Sequence, residues 1–315
     1  MKQKNKYNWV AVMGKFDEGK NELIFKGSKK SYPDQHGKET EHTAMGLFIC
    51  DRIFTGGSIF AEVLFDKICE KSACDIVLYY EPGNKYTVNA GLTHAPFCIR
   101  HFDTKWFYHA FAGEKGNLKT KKLYYIEATL NGSQVSLFVN GVEVVKKNLP
   151  YVVPQSQVGI FCVDESNITI RNFKVINKKP TAFVVMEFSS QYNDVYSEVI
   201  KNICDEQGLE VLRIDEKKGP GIIIADINKA IIEAKLIIAD ISTDNPNVFY
   251  EVGYAHAYLK PTVLLAEKKE DNKLPFDVSP FRTLFYENTI AGKRKLEEGL
   301  REHISAILSE KINRV

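Results

Sequence analysis

The sequence predicts two differently built domains: an all-β sandwich, followed by a doubly wound α/β domain with a mostly parallel five-stranded sheet. Three observations carry that reading. The chain has 315 residues, about twice the usual size of one domain. Its formal net charge of +2 is the sum of unlike parts: residues 1–180 hold 25 basic and 18 acidic residues, net +7, and the rest hold 17 and 22, net −5. The hydrophobic period also changes near Lys179-Pro180, from short alternating runs to strands that alternate with amphipathic helices. A hydrophobic share of 44% with 26% charged residues is ordinary globular composition and excludes a disordered or collagen-like chain.

In the first part the candidate strands are 46–50, 58–65, 75–80, 86–90, 97–102, 106–111, 123–130, 134–139, 158–162 and 168–175. Pro82-Gly83-Asn84, Asn131-Gly132 and Asn140-Gly141 separate some of them. Asn-Gly between two apolar runs is the strongest short-range hairpin signal. With no long helical pattern among them, these runs imply an antiparallel jelly-roll sandwich over residues 1–178.

From residue 181 to 315 the order becomes strand 182–188, helix 192–207, strand 209–213, helix 222–234, strand 236–240, helix 246–259, strand 262–266, strand 281–286 and helix 294–311. Gly208 stands where a helix stop is expected. Phe183-Val184-Val185-Met186 and Leu236-Ile237-Ile238-Ala239 are apolar at every position. Strands covered by helices on both faces must read that way.

The six cysteines include no Cys-x-x-Cys pair, so neither a zinc site nor a disulfide framework is indicated, and reduced thiols in a cytoplasm are expected. No apolar run reaches the roughly 18–20 residues of a membrane span. The basic start runs into Tyr7-Asn8-Trp9 without the apolar core of a signal peptide. The small net charge points to no nucleic-acid polymer.

Ligands of an open parallel sheet bind outside the carboxyl ends of its strands, which directs the search to Phe188 and Ser189, Arg213 and Asp215, and Asp240 and Ser242. The next helix opens with Asp244-Asn245-Pro246-Asn247-Val248-Phe249-Tyr250-Glu251. Asn245 suits the cap and Pro246 the first turn. Glu251, four residues after Asn247, shares its side of the helix. Each residue has a plainer reading. Glu251 is then a solvated helix residue, Asp240 satisfies a βα turn, Arg213 and Asp215 form a surface ion pair, and His256 packs. Gly219-Pro220-Gly221 fits neither the dinucleotide fingerprint nor the P-loop, although a phosphate could meet the helix start there.

The segments Ala182-Phe183-Val184-Val185-Met186-Glu187-Phe188-Ser189, Leu236-Ile237-Ile238-Ala239-Asp240-Ile241-Ser242 and Asn245-Pro246-Asn247-Val248-Phe249-Tyr250-Glu251-Val252-Gly253-Tyr254 resemble a family related to nucleoside 2-deoxyribosyltransferases and TIR-like NAD hydrolases. Gly208 to Asp215 and Leu274-Pro275-Phe276-Asp277-Val278 continue the likeness, which covers nearly all of residues 181–290. The resemblance implies a flavodoxin-like or TIR-like sheet and cleavage of an N-glycosidic bond in NAD, a nucleoside or a nucleotide. NAD would be substrate, not cofactor, and no metal is implied. Glu251 would be the carboxylate at the anomeric carbon, with Asp240 binding the ribose or base or positioning Glu251. Phe188 and Ser189 would line the pocket, Arg213 would contact phosphate or pair with Asp215, and Ser242, Asn245, Asn247 and Tyr254 would complete the substrate-binding set. Activity on assembly into a homo-oligomer and a role in bacterial antiviral defence are further implications. Glu187 departs from the proline that many relatives carry between the methionine and the phenylalanine. The other reading is a module that binds a nucleotide signal without turnover.

Ser133-Gln134-Val135-Ser136-Leu137-Phe138-Val139-Asn140-Gly141, with 156–162 and 168–175, is similar to the closing strands of concanavalin A-like (laminin-G-like) jelly rolls. Some such folds hydrolyse glycans with a Glu-x-Asp-x-x-Glu strand. The spacing of Glu62, Asp66 and Glu70 does not fit that pattern, which disfavours a glycosidase. Trp106-Phe107-Tyr108 either stacks on sugar or is partly core. A glycan, a protein or a small-molecule trigger is therefore the expected partner of the sandwich.

Overall fold

The structure, a computed structural model, describes residues 7–33, 39–84, 86–94, 96–214, 223–268, 282–310 and 312. It divides into two compact units. The first comprises Met1–Leu130, Gln134–Leu149 and Gln155–Lys178; the second comprises Asn131–Ser133, Pro150–Pro154 and Lys179–Val315.

The first unit is a β-sandwich of two antiparallel sheets. One sheet orders Trp9–Met13, Glu39–Phe54, Ser156–Asp164, Ala73–Glu81, Tyr86–Leu92, Phe97–Phe102 and Trp106–Ala112, and Lys29–Pro33 also pairs with the long Glu39–Phe54 strand. The other orders Val142–Asn148, Gln134–Val139, Leu123–Asn131, Gly57–Phe65, Ile168–Asn177, Glu22–Phe25 and Phe16–Glu18. Period-two alternation produces the core: in Gly57–Phe65, residues Ile59, Ala61, Val63 and Phe65 are buried while those between are half-buried. Opposite sheets contribute Phe54, Ile76 and Leu92 on one side and Phe25, Ile126 and Leu137 on the other, all fully buried. At Asn140-Gly141 both residues have positive φ, 51° and 82°, as a two-residue type I′ hairpin requires.

Five strands lie outside the ten expected ones: Trp9–Met13, Phe16–Glu18, Glu22–Phe25, Lys29–Pro33 and Val142–Asn148. They are short, charged or exposed on both faces. They lie at or beside sheet ends, so they bury little and leave only a weak alternation to read.

Ala73–Glu81 is buried at nearly every position because its second face is also covered. There Leu47, Ile49, Ala73, Val77, Phe161 and Val163 form a separate apolar cluster. Asp75 sits among these strands with no exposure, and its Oδ2 accepts from Arg100 Nε (2.9 Å) and Nη2 (2.6 Å). Trp106 lies over the guanidinium at 3.8 Å. Burial pushes the Asp75 carboxyl above its ordinary range, while Arg100 pulls it back. Trp106 is thus the half-buried roof of an ion pair, whereas Phe107 and Tyr108 are 40% and 43% exposed.

The second unit holds a five-stranded, all-parallel sheet. Counted along the chain, its strand order is second, first, third, fourth, fifth: Glu210–Arg213, Thr181–Val185, Leu236–Asp240, Thr262–Glu267, Thr283–Tyr286. Alternate residues feed two apolar clusters. Ala182, Val184 and Ile238 pack with Tyr196, Ile200 and Leu300 on one face. Phe183, Val185 and Ile237 pack with Ile231, Val248 and Val252 on the other. Helices therefore cover both faces, which is why these strands are apolar throughout.

The first helical run passes through Ser190–Asp194, Val195–Ile200 and Lys201–Glu206, the middle stretch with π geometry. Gly208 follows at φ 72°. The other helices are Ile223–Glu233, Pro246–Ala257 and Ile290–Ser309. Among the described residues no helix is long and apolar enough to cross a membrane.

Replacing Arg100 by Met leaves Asp75 as a buried, uncompensated carboxylate. The expected loss is about 3–5 kcal/mol of sandwich stability, read from the urea midpoint of the full-length protein. A midpoint within experimental error of the parent would contradict it.

Candidate functional site

Between Thr181–Val185 and Leu236–Asp240 the chain order changes sides, since the second strand lies beyond one and the fourth beyond the other. The carboxyl ends of that pair are where a doubly wound sheet opens a crevice. Glu187, Phe188 and Ser189 follow the first strand there, and Ile241, Ser242 and Thr243 follow the third.

Asp240 ends a strand buried at every position and is itself 3% exposed. Both of its oxygens are occupied. Oδ1 accepts from Ser242 N (2.9 Å) and Ser242 Oγ (2.5 Å), and Oδ2 accepts from Tyr286 OH (2.7 Å). Ser242 Oγ in turn accepts from the Glu267 N–H at 2.7 Å. Burial raises the Asp240 carboxyl, and the bonds from Ser242 and Tyr286 oppose that rise. Burial and the neighbouring Asp240 charge raise the Tyr286 hydroxyl as well. The buried Tyr192 hydroxyl is pushed up to about 12 by desolvation and by the carboxylates of Glu267, Asp240 and Glu187. Asp240 thus joins the ends of three adjacent strands. Its immediate work is to satisfy them.

Arg213 closes its strand at 7% exposure. Its Nη1 donates to Asn193 Oδ1 (3.0 Å), and its guanidinium lies 3.9 Å from the Tyr196 ring and 5.5 Å from the Phe188 ring. Phe188 is 51% exposed and so offers ring area to a ligand. Asp215, the expected partner of Arg213, lies outside the described residues, as do Gly219-Pro220-Gly221 and residues 274–278.

Ser189 caps the first helical run, yet its hydroxyl makes no cap bond; Oγ is buried without a partner, and so is Thr243 Oγ1. A buried hydroxyl left unpaired is costly. These two stand at the ends of the strands that flank the crevice.

Asn245 caps the Pro246–Ala257 helix, Oδ1 accepting from Asn247 N at 3.0 Å, and Pro246 takes the first position. Asn247 is exposed. Val248, Val252 and Ala255 form the buried stripe. Glu251, three residues after Val248 and four before Ala255, falls on its flank. It is half-buried and has no hydrogen bond or ion pair among the described residues. Desolvation alone raises its carboxyl from 4.5 to about 7. Beside it run the rings of Tyr250, Tyr254 and Tyr258, with successive centroids 6.4 and 4.9 Å apart. Burial and its tyrosine neighbours raise Tyr254 to about 12. His256 is half-buried on the same helix, where burial lowers its pKa.

The structure therefore joins Asp240 to Ser242, Arg213 to Phe188, and Asn245 to Asn247. It gives Glu251 no partner among the described residues. Tyr286, Glu267, Tyr192 and Thr243 were not singled out from the sequence. Tyr286 and Glu267 end the fifth and fourth strands, so the strand-end rule would have reached them had it been carried past the third. Among the described residues no three His, Cys, Asp or Glu side chains gather as a metal would require. In the sandwich, Glu62 accepts from Asn172 and Glu70 pairs with Lys115.

Tyr286→Phe removes the donor to buried Asp240 Oδ2 and is expected to lower stability by about 1–3 kcal/mol in chemical denaturation. Glu251 has the opposite sign. Its folded value lies above its ordinary one, so the native state keeps the proton longer, and stability falls as pH rises from 4.5 to about 7. Glu251→Gln should therefore raise the melting temperature at pH 8 and leave it nearly unchanged at pH 4.5. Equal shifts at both pH values would show that the carboxyl is not desolvated.

No protein-family model matches the chain, and no curated protein matches it. Among solved structures, a carbohydrate binding module from Bacillus subtilis is 10% identical over 52% of this chain and 92% of its own, with a TM-score of 0.42. The catalytic domain of an endo-1,3-beta-glucanase (laminarinase) from Thermotoga petrophila is 10% identical over 54% and 92%, with a TM-score of 0.35. A functionally unknown protein from Saccharomyces cerevisiae is 10% identical over 55% and 97%, with a TM-score of 0.36. At these values the likeness assigns neither ligand nor reaction to this chain, and the sandwich stands on its own two sheets.

Proposed function

We propose that the second unit cleaves the N-glycosidic bond of NAD, a nucleotide or a nucleoside, with Glu251 as the carboxylate at the anomeric carbon. The observation that carries this reading is Glu251 itself: half-buried, without a partner among the described residues, and raised to about 7 by desolvation, on the helix that follows the third strand. A structural carboxylate at such a place is ordinarily paired, as Asp240 is. An unpaired one costs stability and is retained where chemistry needs it.

The family resemblance supplies the reaction. The bond from C1′ to the base nitrogen breaks and its electron pair leaves with the base, which gives oxocarbenium character to the sugar. Ionised Glu251 stabilises that positive charge. A water oxygen then bonds to C1′ and its proton passes to Glu251 or to solvent. Phe188 stacks on the base, Arg213 holds a phosphate or orders Phe188, and Ser189, Ser242 and Asn247 meet the sugar. Asp240 has a positioning role through Ser242 and Tyr286. In this reading the sheet is flavodoxin-like or TIR-like. The sandwich is concanavalin A-like, senses a glycan, protein or small molecule, and promotes assembly of the active homo-oligomer.

The test follows release of nicotinamide or free base from NAD and from nucleosides. Glu251→Gln is expected to lower kcat by about 10²–10³-fold. With the ionised carboxyl as the active form, kcat/KM should rise with pH and level off above about 7. Tight nucleotide binding with no turnover at any protein concentration would replace the enzyme by a nucleotide-signal binding module.

A further inference from the structure

The last two strands of one sandwich sheet, Phe97–Phe102 and Trp106–Ala112, form a hairpin that the reading above does not use. Their pairing shifts register between Tyr108 and Ala110, which leaves His109 as the extra residue of a bulge. Bulges commonly re-aim side chains. This one brings the His109 ring to His101 on the neighbouring strand, where His101 Nδ1 and His109 Nε2 lie 2.8 Å apart.

The pair is held in place by its neighbours. Tyr86 and Phe107 stack on the His101 ring at 5.3 and 4.8 Å, with interplanar angles of 25° and 10°. The His109 ring meets it at 37°. Both imidazoles are half-buried on the terminal hairpin of the sheet, so they keep some access to solvent.

Three charged residues surround them. Burial lowers the pKa of both rings, that of His109 to about 4; Asp103 opposes the shift at His101, while His101 and the exposed Lys147 add to it at His109. Lys105 lies over the Phe107 ring at 5.2 Å. Local charge therefore does not attract a cation. A metal here would be held by its bonds to nitrogen.

We propose that His101 and His109 form an exchangeable site for a divalent copper ion. The hydrogen bond between them needs a proton on one of the facing nitrogens. A metal needs both bare, with the hydrogens on His101 Nε2 and His109 Nδ1, so the neutral rings change tautomer and lose no net proton. Two bonds of about 2.0–2.1 Å to nitrogens 2.8 Å apart enclose an angle of about 85–90°. That is the angle between adjacent ligands of a tetragonal ion such as Cu2+ or Ni2+. A tetrahedral zinc would require the nitrogens to separate to about 3.3–3.4 Å. Copper also binds imidazole most strongly among the divalent first-row ions. A structural metal takes three or four side chains, and no such set gathers among the described residues. Two imidazoles leave the remaining positions to water, and the bound ion would clip the last two strands of the sheet together.

The probes are Cu2+ alone and Zn2+ alone, titrated by calorimetry into the untagged full-length protein at about pH 7.5, with electron paramagnetic resonance of the copper form. One Cu2+ is expected to bind at least about tenfold more tightly than Zn2+, with coupling to two imidazole nitrogens. His101→Gln and His109→Gln should each weaken it at least about tenfold. Lys147→Gln, at an exposed position that leaves the fold intact, should tighten it about two- to fivefold. If circular dichroism shows that the histidine variants do not fold, Lys147→Gln decides, and an affinity unchanged there overturns the assignment. Absence of copper binding, tighter binding of Zn2+, or a spectrum without two imidazole nitrogens would also overturn it. So would equal binding by the parent and both folded histidine variants, which would mark an adventitious ion only.

Discussion

The carboxylate of Asp240 is the constraint on which the second unit's carboxyl edge depends. It ends a strand whose other residues are apolar and covered on both faces, so it cannot reach bulk water. An unpaired charge there would cost several kcal/mol. The fold resolves this by bringing the Ser242 hydroxyl and amide and the Tyr286 phenol onto its two oxygens, and by tying Ser242 to the Glu267 amide. Strands three, four and five are thereby joined at their ends. The loop that leads into the Pro246–Ala257 helix starts from a fixed point, and Glu251 is carried on that helix.

Much of the architecture was legible because burial leaves a periodic trace. Runs such as Leu236–Asp240, buried at every position, alternate with amphipathic helical stretches, as strands between two helical layers do. Gln134–Val139 was bounded to the residue by Asn131-Gly132 and Asn140-Gly141. The trace fades where burial does. Lys29–Pro33 is exposed along its whole length and Trp9–Met13 along most of its length, so their pairing depends on backbone hydrogen bonds that no side-chain pattern records. The helix beginning at Ser190 was expected two residues later, because its opening residues, Ser190 and Gln191, are exposed and carry no apolar period.

The candidate site was legible in part. Asn245-Pro246 announces a helix start through its own chemistry, and the strand-end rule reaches Asp240, Ser242, Arg213 and Phe188. Local sequence cannot say which carboxylate is paired. Asp240 ends the third strand and Glu251 lies in the helix after it, yet among the described residues one accepts three hydrogen bonds and the other none. Ser242, two residues on, fills one oxygen of Asp240, but the donor to the other is Tyr286, 46 residues away along the chain. Thr243 shows the same limit, since an unpaired buried hydroxyl can be recognised only once its surroundings are known.

The sixteen-residue strand Glu39–Phe54 shows that a strand need not be a unit of stability. Its middle, from Gly46 on, threads the sandwich between two neighbours and has five consecutive buried residues; its opening, Glu39–Thr43, pairs with Lys29–Pro33 in a largely exposed ribbon. Hydrogen bonds in the ribbon break at little free-energy cost, whereas those in the middle open only when the core does. The ribbon can open while the core of the sandwich stays closed.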